Sequence, residues 1–224
     1  MSIVTSTYHR HYTRMTFPTP SSVSHYEVLK RMMDVTGASF LLLVLSPLMA
    51  LTALLIRLTD GGPALFCQTR VGKGGRRFKC FKFRSMIINA QALQNQLAGK
   101  SQHSDSRTFK IRKDPRITWV GRLIRKASID ELPQLWNVLI GDMSLVGPRP
   151  PLPAEVTQYS ASDLRRLAVK PGLTCTWQVS GRANLPFEVQ VQLDVEYIEN
   201  RSLWLDVKLL VMTIPAVLFA RGAY

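Results

Sequence analysis

The chain has 224 residues, of which 46% are hydrophobic, so it is long enough for one compact domain with a real core and some appendages. Its formal net charge is +14, and residues 61–126 alone hold 16 basic and 2 acidic side chains. Such a basic surface indicates an anionic partner, such as nucleic acid, lipid headgroups or a phosphorylated substrate. The three cysteines form no C-x-x-C pair, which argues against a zinc or thioredoxin-like motif, and their odd number suits a reducing cytoplasm.

The N-terminal part combines a polar tail with an apolar segment. Residues 1–26 are rich in Ser, Thr, Tyr and His and predict a mobile tail. Residues 35–56 carry no charge and, as a helix, would cross about one bilayer core. Ser46-Pro47 at its centre predicts a kink or a break, and the basic flanks predict that both ends face the cytoplasm. The pattern alone favours a re-entrant helix–break–helix and a kinked transmembrane helix equally.

Three charged residues mark the entrance to this segment. Lys30 and Asp34 are spaced for an ion pair on one helix face, and Arg31 lies between them. We favour an anchor at the membrane interface, with the basic side chains reaching toward the headgroups. The alternative is that the three residues hold the segment to the following domain or contact a lipid phosphate.

The next segment predicts a β-hairpin. Residues 64–71 and 77–84 alternate between apolar and polar side chains, and a glycine-rich turn connects them. The turn lacks the pattern of a phosphate-binding P-loop. The second strand interleaves basic and aromatic residues, which fits either nucleic-acid binding or a half-buried strand with a basic outer face.

The remaining elements are mostly helical. Periodicity predicts helices over 86–98, 116–126, 131–140 and 187–199. Polar composition predicts a loop over 99–114, and Pro171-Gly172 predicts a turn. The apolar faces of 116–126 and 131–140 each carry a tryptophan. These faces suit either the core or the membrane surface.

Adjacent carboxylates, Asp130 and Glu131, are the strongest chemical feature. Two neighbouring acids can supply a nucleophile and a ligand for a hard cation, and arginines nearby can hold phosphate oxygens. The alternative is structural, because Ser128 and Glu131 also fit a helix-capping box. Taken alone, the pair favours the capping interpretation. Gln178 and Arg182, further along, are polar donors that could meet a nucleotide or a phosphate.

In order along the chain, these features resemble the bacterial sugar transferase family, the monotopic polyprenyl-phosphate phosphoglycosyl transferases. Six motifs carry the resemblance: Lys30-Arg31-x-x-Asp34, Ser46-Pro47, Lys82-Phe83-Arg84-Ser85-Met86, Arg125-x-x-Ser128-x-Asp130-Glu131-Leu132-Pro133-Gln134, residues 141–150 with Pro148-Arg149-Pro150, and residues 170–182. Any one of them alone is weak, but six in this order are specific.

The resemblance implies an α+β, mostly helical fold. It implies a re-entrant membrane helix over 27–59, broken at Ser46-Pro47. A cytoplasmic, membrane-associated catalytic domain would follow over 60–224, with a β-hairpin and interfacial amphipathic helices. It would lie on the cytoplasmic face of the bacterial inner membrane.

The resemblance also implies a reaction. A sugar-1-phosphate would pass from a UDP-sugar to undecaprenyl phosphate with release of UMP, an early step of exopolysaccharide, capsule or O-antigen synthesis. Asp130 would be the nucleophile, and Glu131 would bind Mg²⁺ with Asp130 close to the ion. Donor contacts would come from Arg84, Arg125, Arg149, Gln178 and Arg182. Many members have glycine where this chain has Cys175. The stretch Thr-Cys-x-Trp-Gln-Val-Ser-Gly-Arg around it resembles the branch that uses UDP-glucose or UDP-galactose.

Two other interpretations stay open on the sequence. One is a basic, membrane-anchored protein that binds nucleic acid or anionic lipid, although no recognised nucleic-acid motif is present and we expect no nucleic-acid partner. The other is a catalytically inactive membrane scaffold of a polysaccharide assembly complex. A homo-oligomer is compatible with all three interpretations.

Overall fold

The computed structural model describes residues 24–90, 92–93, 114–180 and 185–218. Nearly all of the predicted tail, most of the predicted loop over 99–114, and Arg182 lie outside these residues. The described part is α+β and mostly helical, as predicted, with two small two-stranded sheets.

A single long helix, α1, covers His25–Asp60 and contains Pro47. The helix is continuous, so the predicted break between two helices at Ser46-Pro47 is wrong. Proline cannot donate a hydrogen bond to the carbonyl four residues earlier, which is that of Leu43. The Ser46 hydroxyl donates to the same carbonyl at 2.8 Å and so replaces the missing partner. The helix ends at Gly61, whose φ of 68° is a left-handed cap.

Much of α1 is exposed and apolar. The described residues contain one helix that is long and apolar enough to cross a membrane, judged by length and composition. Phe40, Leu43 and Leu58 are among its exposed residues, whereas Ala38 and Ile56 are buried against the rest of the protein. One face of α1 therefore packs on the domain, and the other presents hydrocarbon outward.

The predicted hairpin is confirmed. Strands β1 (Leu65–Val71) and β2 (Arg77–Phe83) pair in antiparallel fashion, with Leu65 opposite Phe83. Phe78, Cys80 and Phe83 are buried while Lys79 is exposed, which matches a half-buried strand with a basic outer face.

The short helices beyond the hairpin carry the adjacent carboxylates Asp130 and Glu131, which form the dyad. Helix α2 covers Trp119–Lys126, a 3₁₀ turn covers Ile129–Glu131, and helix α3 covers Gln134–Ile140. Both predicted helices in this region exist but start about three residues later. The helix predicted over 86–98 is wrong at its start, because Met86 forms an isolated bridge with Ile117.

Asn137 fixes this helical unit against the hairpin. Its Oδ1 accepts from the Phe81 amide at 3.0 Å, and its Nδ2 donates to the Lys79 carbonyl at 2.7 Å. The side chain is fully buried, so both hydrogen bonds are needed to offset its loss of water. This contact sets the dyad close to strand β2.

A parallel strand pair completes the centre. Strand β3 (Ser144–Val146) pairs with β4 (Gly172–Thr174). The turn predicted at Pro171-Gly172 is wrong, because Gly172 opens a strand. A Cβ atom on Gly172 would lie 2.1 Å from the Gly147 amide nitrogen, so the two backbones can approach only with glycine here.

The remaining helices surround this centre. They are α4 (Pro153–Val156), α5 (Ala161–Leu164), α6 (Thr176–Ser180), α7 (Phe187–Asn200) and α8 (Leu203–Leu218). The largest buried cluster joins residues from α1, the hairpin, α3, β3, α7 and α8, and includes Ala38, Phe78, Leu135, Met143, Leu145, Tyr197 and Leu209.

The charged entrance of α1 is buried against the domain. The predicted Lys30–Asp34 pair is wrong: Lys30 Nζ lies 2.8 Å from Asp206 Oδ2 in α8. Asp34 instead accepts from the Ser144 hydroxyl and the Leu145 amide, both at 2.9 Å. Arg31 donates at 2.7 Å to the carbonyls of Val138 and Leu139, at the last turn of α3. The alternative interpretation, in which these residues hold α1 to the domain, is the one that the structure supports.

Candidate active site

The dyad lies in a strained turn between α2 and α3. Ser128, directly before it, has φ 55° and is the one non-glycine residue with positive φ among the residues that the structure describes. Its side chain caps nothing, so the capping-box interpretation is wrong. Left-handed backbone in a residue other than glycine is costly and collects at functional sites. The turn directs Asp130 and Glu131 toward strand β2.

Glu131 is held between two cations. Its Oε1 lies 2.5 Å from Lys82 Nζ and 3.3 Å from Arg149 Nη1. Burial alone would raise the pKa of Glu131, but Lys82 and Arg149 outweigh it and hold the pKa well below its usual range. Glu131 is therefore an ionised carboxylate with one oxygen already engaged.

Asp130 has the opposite environment. It is buried, and burial raises its pKa to about 6, with the neighbouring Glu131 charge acting in the same direction. Lys82, Arg125 and Arg149 act against this rise. Adjacent groups whose proton affinities are pushed apart are typical of acid–base and nucleophilic sites.

The dyad lines a cavity of about 730 Å³. Its polar part includes Lys82, Arg125, Arg149 and Gln178, so the structure brings three of the predicted donor contacts, Arg125, Arg149 and Gln178, to the dyad. Its apolar part comes from α1 and α8, through Leu41, Leu45, Leu210, Ile214 and Val217. One cavity thus combines basic side chains that could bind phosphate with an apolar wall that could contact a hydrocarbon chain.

Arg84 lies elsewhere. Its buried guanidinium pairs with Asp60, the exposed last residue of α1, and it does not line the cavity. A Cβ atom on Gly62 would collide with this guanidinium, so the chain closes tightly around the pair. The contact with Asp60 fixes the end of α1, and the predicted contact of Arg84 with substrate stays a prediction.

Backbone hydrogen bonds from both sheets position the loop that carries Arg149. The Gly147 amide donates to the Thr174 carbonyl at 3.0 Å, and the Gly172 amide donates to the Pro148 carbonyl at 2.9 Å. On the other side of the loop, the Val71 amide donates to the Pro151 carbonyl at 3.0 Å. The arginine therefore projects from a loop that β1 and β4 clamp at both ends.

Two arginines in the cavity wall were not predicted. Arg70 donates through Nη1 to the Pro150 carbonyl at 2.9 Å, and burial together with nearby Arg149 lowers its pKa. Arg166 is buried in an ion pair with Asp194. Neither belongs to a local motif, since the hairpin register and the packing of α7 bring them in from distant parts of the sequence.

The fold and the site together define a class of protein. It is a membrane-associated α+β protein in which a buried carboxylate, a neutralised second carboxylate and several arginines share a cavity with an apolar helix. The chain belongs to the bacterial sugar transferase family, whose sequence profile matches residues 25–220. This match confirms the family that the motifs indicate.

Several bacterial transferases and polysaccharide proteins are similar to this chain over most of its length. It is 47% identical over 197 residues to the galactosyl transferase CpsE of Streptococcus agalactiae, covering 88% of this chain and 43% of that protein. It is 45% identical over 200 residues to the undecaprenyl-phosphate galactose phosphotransferase of Salmonella typhimurium, covering 88% and 42%. It is 40% identical over 198 residues to the exopolysaccharide production protein ExoY of Rhizobium meliloti, covering 87% and 88%. The chain thus spans less than half of the first two relatives and most of the third.

Proposed function

We propose that this protein transfers a hexose-1-phosphate from a UDP-sugar to undecaprenyl phosphate and releases UMP. The observation that carries the proposal is Asp130, a buried carboxylate beside a Glu131 that Lys82 and Arg149 neutralise, in a cavity with an apolar wall. Relatives named undecaprenyl-phosphate galactose and undecaprenyl-phosphate glucose phosphotransferase support the reaction class and a hexose donor. We also propose a place in exopolysaccharide, capsule or O-antigen synthesis, and the relative named exopolysaccharide production protein ExoY supports the first of these.

In the first step, an Asp130 carboxylate oxygen attacks the β-phosphorus of the donor. A phosphorus–oxygen bond forms there, and the bond to the oxygen that bridges the two phosphates breaks. UMP leaves with the electron pair, and the phosphosugar remains on Asp130 as an acyl phosphate. Because the pKa of Asp130 is raised to about 6, the carboxylate is more basic than ordinary aspartate and still largely ionised at neutral pH.

In the second step, a phosphate oxygen of the lipid acceptor attacks the same phosphorus. The bond to Asp130 breaks, the carboxylate is restored, and a polyprenyl diphosphate sugar is formed. Arg125 and Arg149 line the cavity and would offset the charge of the reacting phosphates in both steps.

We propose Mg²⁺ as the cofactor, held by Glu131 and Asp130. The described residues contain no group of three or more His, Cys, Asp or Glu able to hold a metal by themselves. Two carboxylates fit Mg²⁺ well, since this ion commonly uses one or two carboxylates together with substrate phosphates and water. When bound, it would supply positive charge to the donor diphosphate.

The apolar cavity wall supports a lipid acceptor. Leu41 and Leu45 belong to the helix whose outer face presents Phe40 and Leu43. A polyprenyl chain that lies along this wall could place its phosphate near the dyad without leaving the hydrocarbon layer.

The contacts at both ends of α1 support a re-entrant topology. Lys30 near its start pairs with Asp206, and Asp60 at its end pairs with Arg84 of the same domain. Exposed Trp119, Trp136 and Trp204 on neighbouring helices suit a membrane interface. We therefore propose that α1 bends at Pro47, so that it enters one leaflet and returns, with the domain on the cytoplasmic face of the inner membrane, where UDP-sugars are available.

The test is UMP release by detergent- or nanodisc-held protein with undecaprenyl phosphate, Mg²⁺ and a panel of UDP-sugars. Release with one hexose donor, lost in EDTA and in Asp130→Asn, is the expected result. A folded protein that releases no UMP with any donor would contradict the proposal. It would favour the alternative of an inactive scaffold in a polysaccharide assembly complex.

A further inference from the structure

A second cavity lies across strand β3 from the active site. Its volume is about 210 Å³, and its lining includes Ser144 and Val146, whereas the intervening Leu145 lines the first cavity. Successive residues of a strand point to opposite faces, so β3 is the wall between the two spaces.

The second cavity is rich in positive charge. Five basic side chains and two acidic ones line it: Lys30, Arg31, Lys73, Lys170, Arg201, Glu27 and Asp34. Two of the cations are neutralised, because Lys30 pairs with Asp206 and Arg201 pairs with Glu27 at 2.7 Å.

The other three cations have no ion-pair carboxylate among the residues that the structure describes. Arg31 donates to two backbone carbonyls, and neither Lys73 nor Lys170 has an ion-pair partner there. Two of these cations lie close together beside Gly141. A Cβ atom placed on Gly141 would lie 3.4 Å from Lys170 Nζ and 3.5 Å from Arg31 Nη2. Burial, Arg31 and Lys73 lower the pKa of Lys170, and Asp34 and Glu27 only partly oppose them. Asp34, which accepts from Ser144 and Leu145, is the one acid of the lining outside an ion pair in the described part of the chain, so positive charge remains in excess. This excess around one cavity indicates that an anion belongs between the three cations.

We propose that this cavity binds the phosphate group of an anionic phospholipid. Lys30 and Arg31 lie one helical turn before the uncharged run of residues 35–56 in α1, which would set the cavity at the depth where lipid phosphates lie. A soluble phosphate offers the same chemistry, and the two sources are separated below. The site would hold the start of α1 at a fixed depth, on the opposite side of β3 from the dyad.

The test measures phosphatidylglycerol binding to the detergent-solubilised full chain by native mass spectrometry. Lys73→Gln combined with Lys170→Gln should weaken the binding about thirtyfold, given the contribution of each of two basic side chains near a lipid phosphate. Both lysines are exposed residues, so the unfolding midpoint of this variant without lipid should match that of the wild type. The readout is binding, so it stands whether or not the proposed transfer reaction is found.

Arg122→Gln combined with Lys126→Gln is the matched control, since it removes the same charge from the exposed face of α2. This control should change phosphatidylglycerol affinity by less than about twofold, because general attraction to an anionic surface is diffuse. A parallel titration with inorganic phosphate separates the sources: phosphate binding that depends on Lys73 and Lys170, without lipid binding, assigns the site to a soluble anion and overturns the lipid proposal. Equal loss in both double variants, or no binding of either anion, overturns the site itself.

Discussion

Lys82 and Glu131 form an ion pair in which 2.5 Å separates Nζ from Oε1, and the pair lies directly beside Asp130. Because of this contact, two carboxylates that are adjacent in sequence differ in proton affinity. Glu131 is held ionised by its cations, while burial raises the pKa of Asp130. The hairpin thus determines the chemistry of a dyad that lies on a different element.

Replacing Lys82 tests this dependence. Lys82→Met should lower kcat/KM for UMP release about a hundredfold, because it removes a cation that stabilises both carboxylates and the charge of the reacting phosphates. Lys82→Arg retains the charge and should lose less than about tenfold. The two variants should unfold at similar temperatures, and equal kcat/KM for both would show that the charge of Lys82 is unimportant.

The buried pair at the start of α1 should matter for stability. Asp206 is fully buried and accepts from Lys30, Tyr26 and Tyr197. Asp206→Asn leaves Lys30 without its counter-ion, which should cost roughly 3 kcal/mol in the free energy of unfolding. Denaturant titration in a mild detergent measures this cost.

Glu199→Gln provides the matched control. It removes the carboxylate of the Arg165–Glu199 pair, in which both side chains are more than half exposed. The expected cost is below about 1 kcal/mol. Similar destabilisation by both substitutions would mean that Lys30 and Asp206 do not hold α1 to the domain.

The close approach of Gly147 and Gly172 should tolerate no side chain. Gly172→Ala would place Cβ 2.1 Å from the Gly147 amide nitrogen, so strands β3 and β4 must separate. We expect a loss of roughly 3 kcal/mol or more in unfolding free energy, together with reduced activity, because this strand pair clamps the Arg149 loop. Gly72→Ala is the control: its Cβ would have 3.4 Å to the nearest atom, and thermal unfolding should shift little.

Pro47→Ala tests the topology of α1. Alanine restores the backbone amide that proline lacks, so the helix should straighten and shift toward a full span. A cysteine at Ser24, which is exposed, reports this change in a Cys67→Ser background, through labelling by an impermeant thiol reagent added from either side.

In the parent protein, residue 24 should be labelled only from the side that carries the domain. In Pro47→Ala it should become reactive from the opposite side, while Pro215→Ala, which alters a proline in α8, should leave the pattern unchanged. Labelling from the domain side alone in both proteins would contradict a role for Pro47 in topology.

Local patterns predicted the elements that depend on local residues. The hairpin follows from strand alternation on either side of a glycine-rich turn, and Asp130 and Glu131 stand out because their neighbours repeat a family motif. Both features lie within short stretches of sequence, where period and turn chemistry are informative.

Contacts between distant residues were not predictable in the same way. Helical spacing suggested that Lys30 pairs with Asp34, yet its partner is Asp206, 176 residues away. Arg70 reaches the active site only because the hairpin register brings it to the Pro150 carbonyl. Periodicity gives the face on which a residue lies but not the element that packs against that face.

The most direct test of the central claim is the intact mass of the protein after mixing with Mg²⁺ and its UDP-sugar donor, without acceptor. The account predicts a mass increase of one phosphosugar, located on Asp130 by peptide mapping, absent in Asp130→Asn and discharged when undecaprenyl phosphate is added. Robust UMP release by Asp130→Asn, or turnover of the parent protein with no adduct on Asp130, would contradict it.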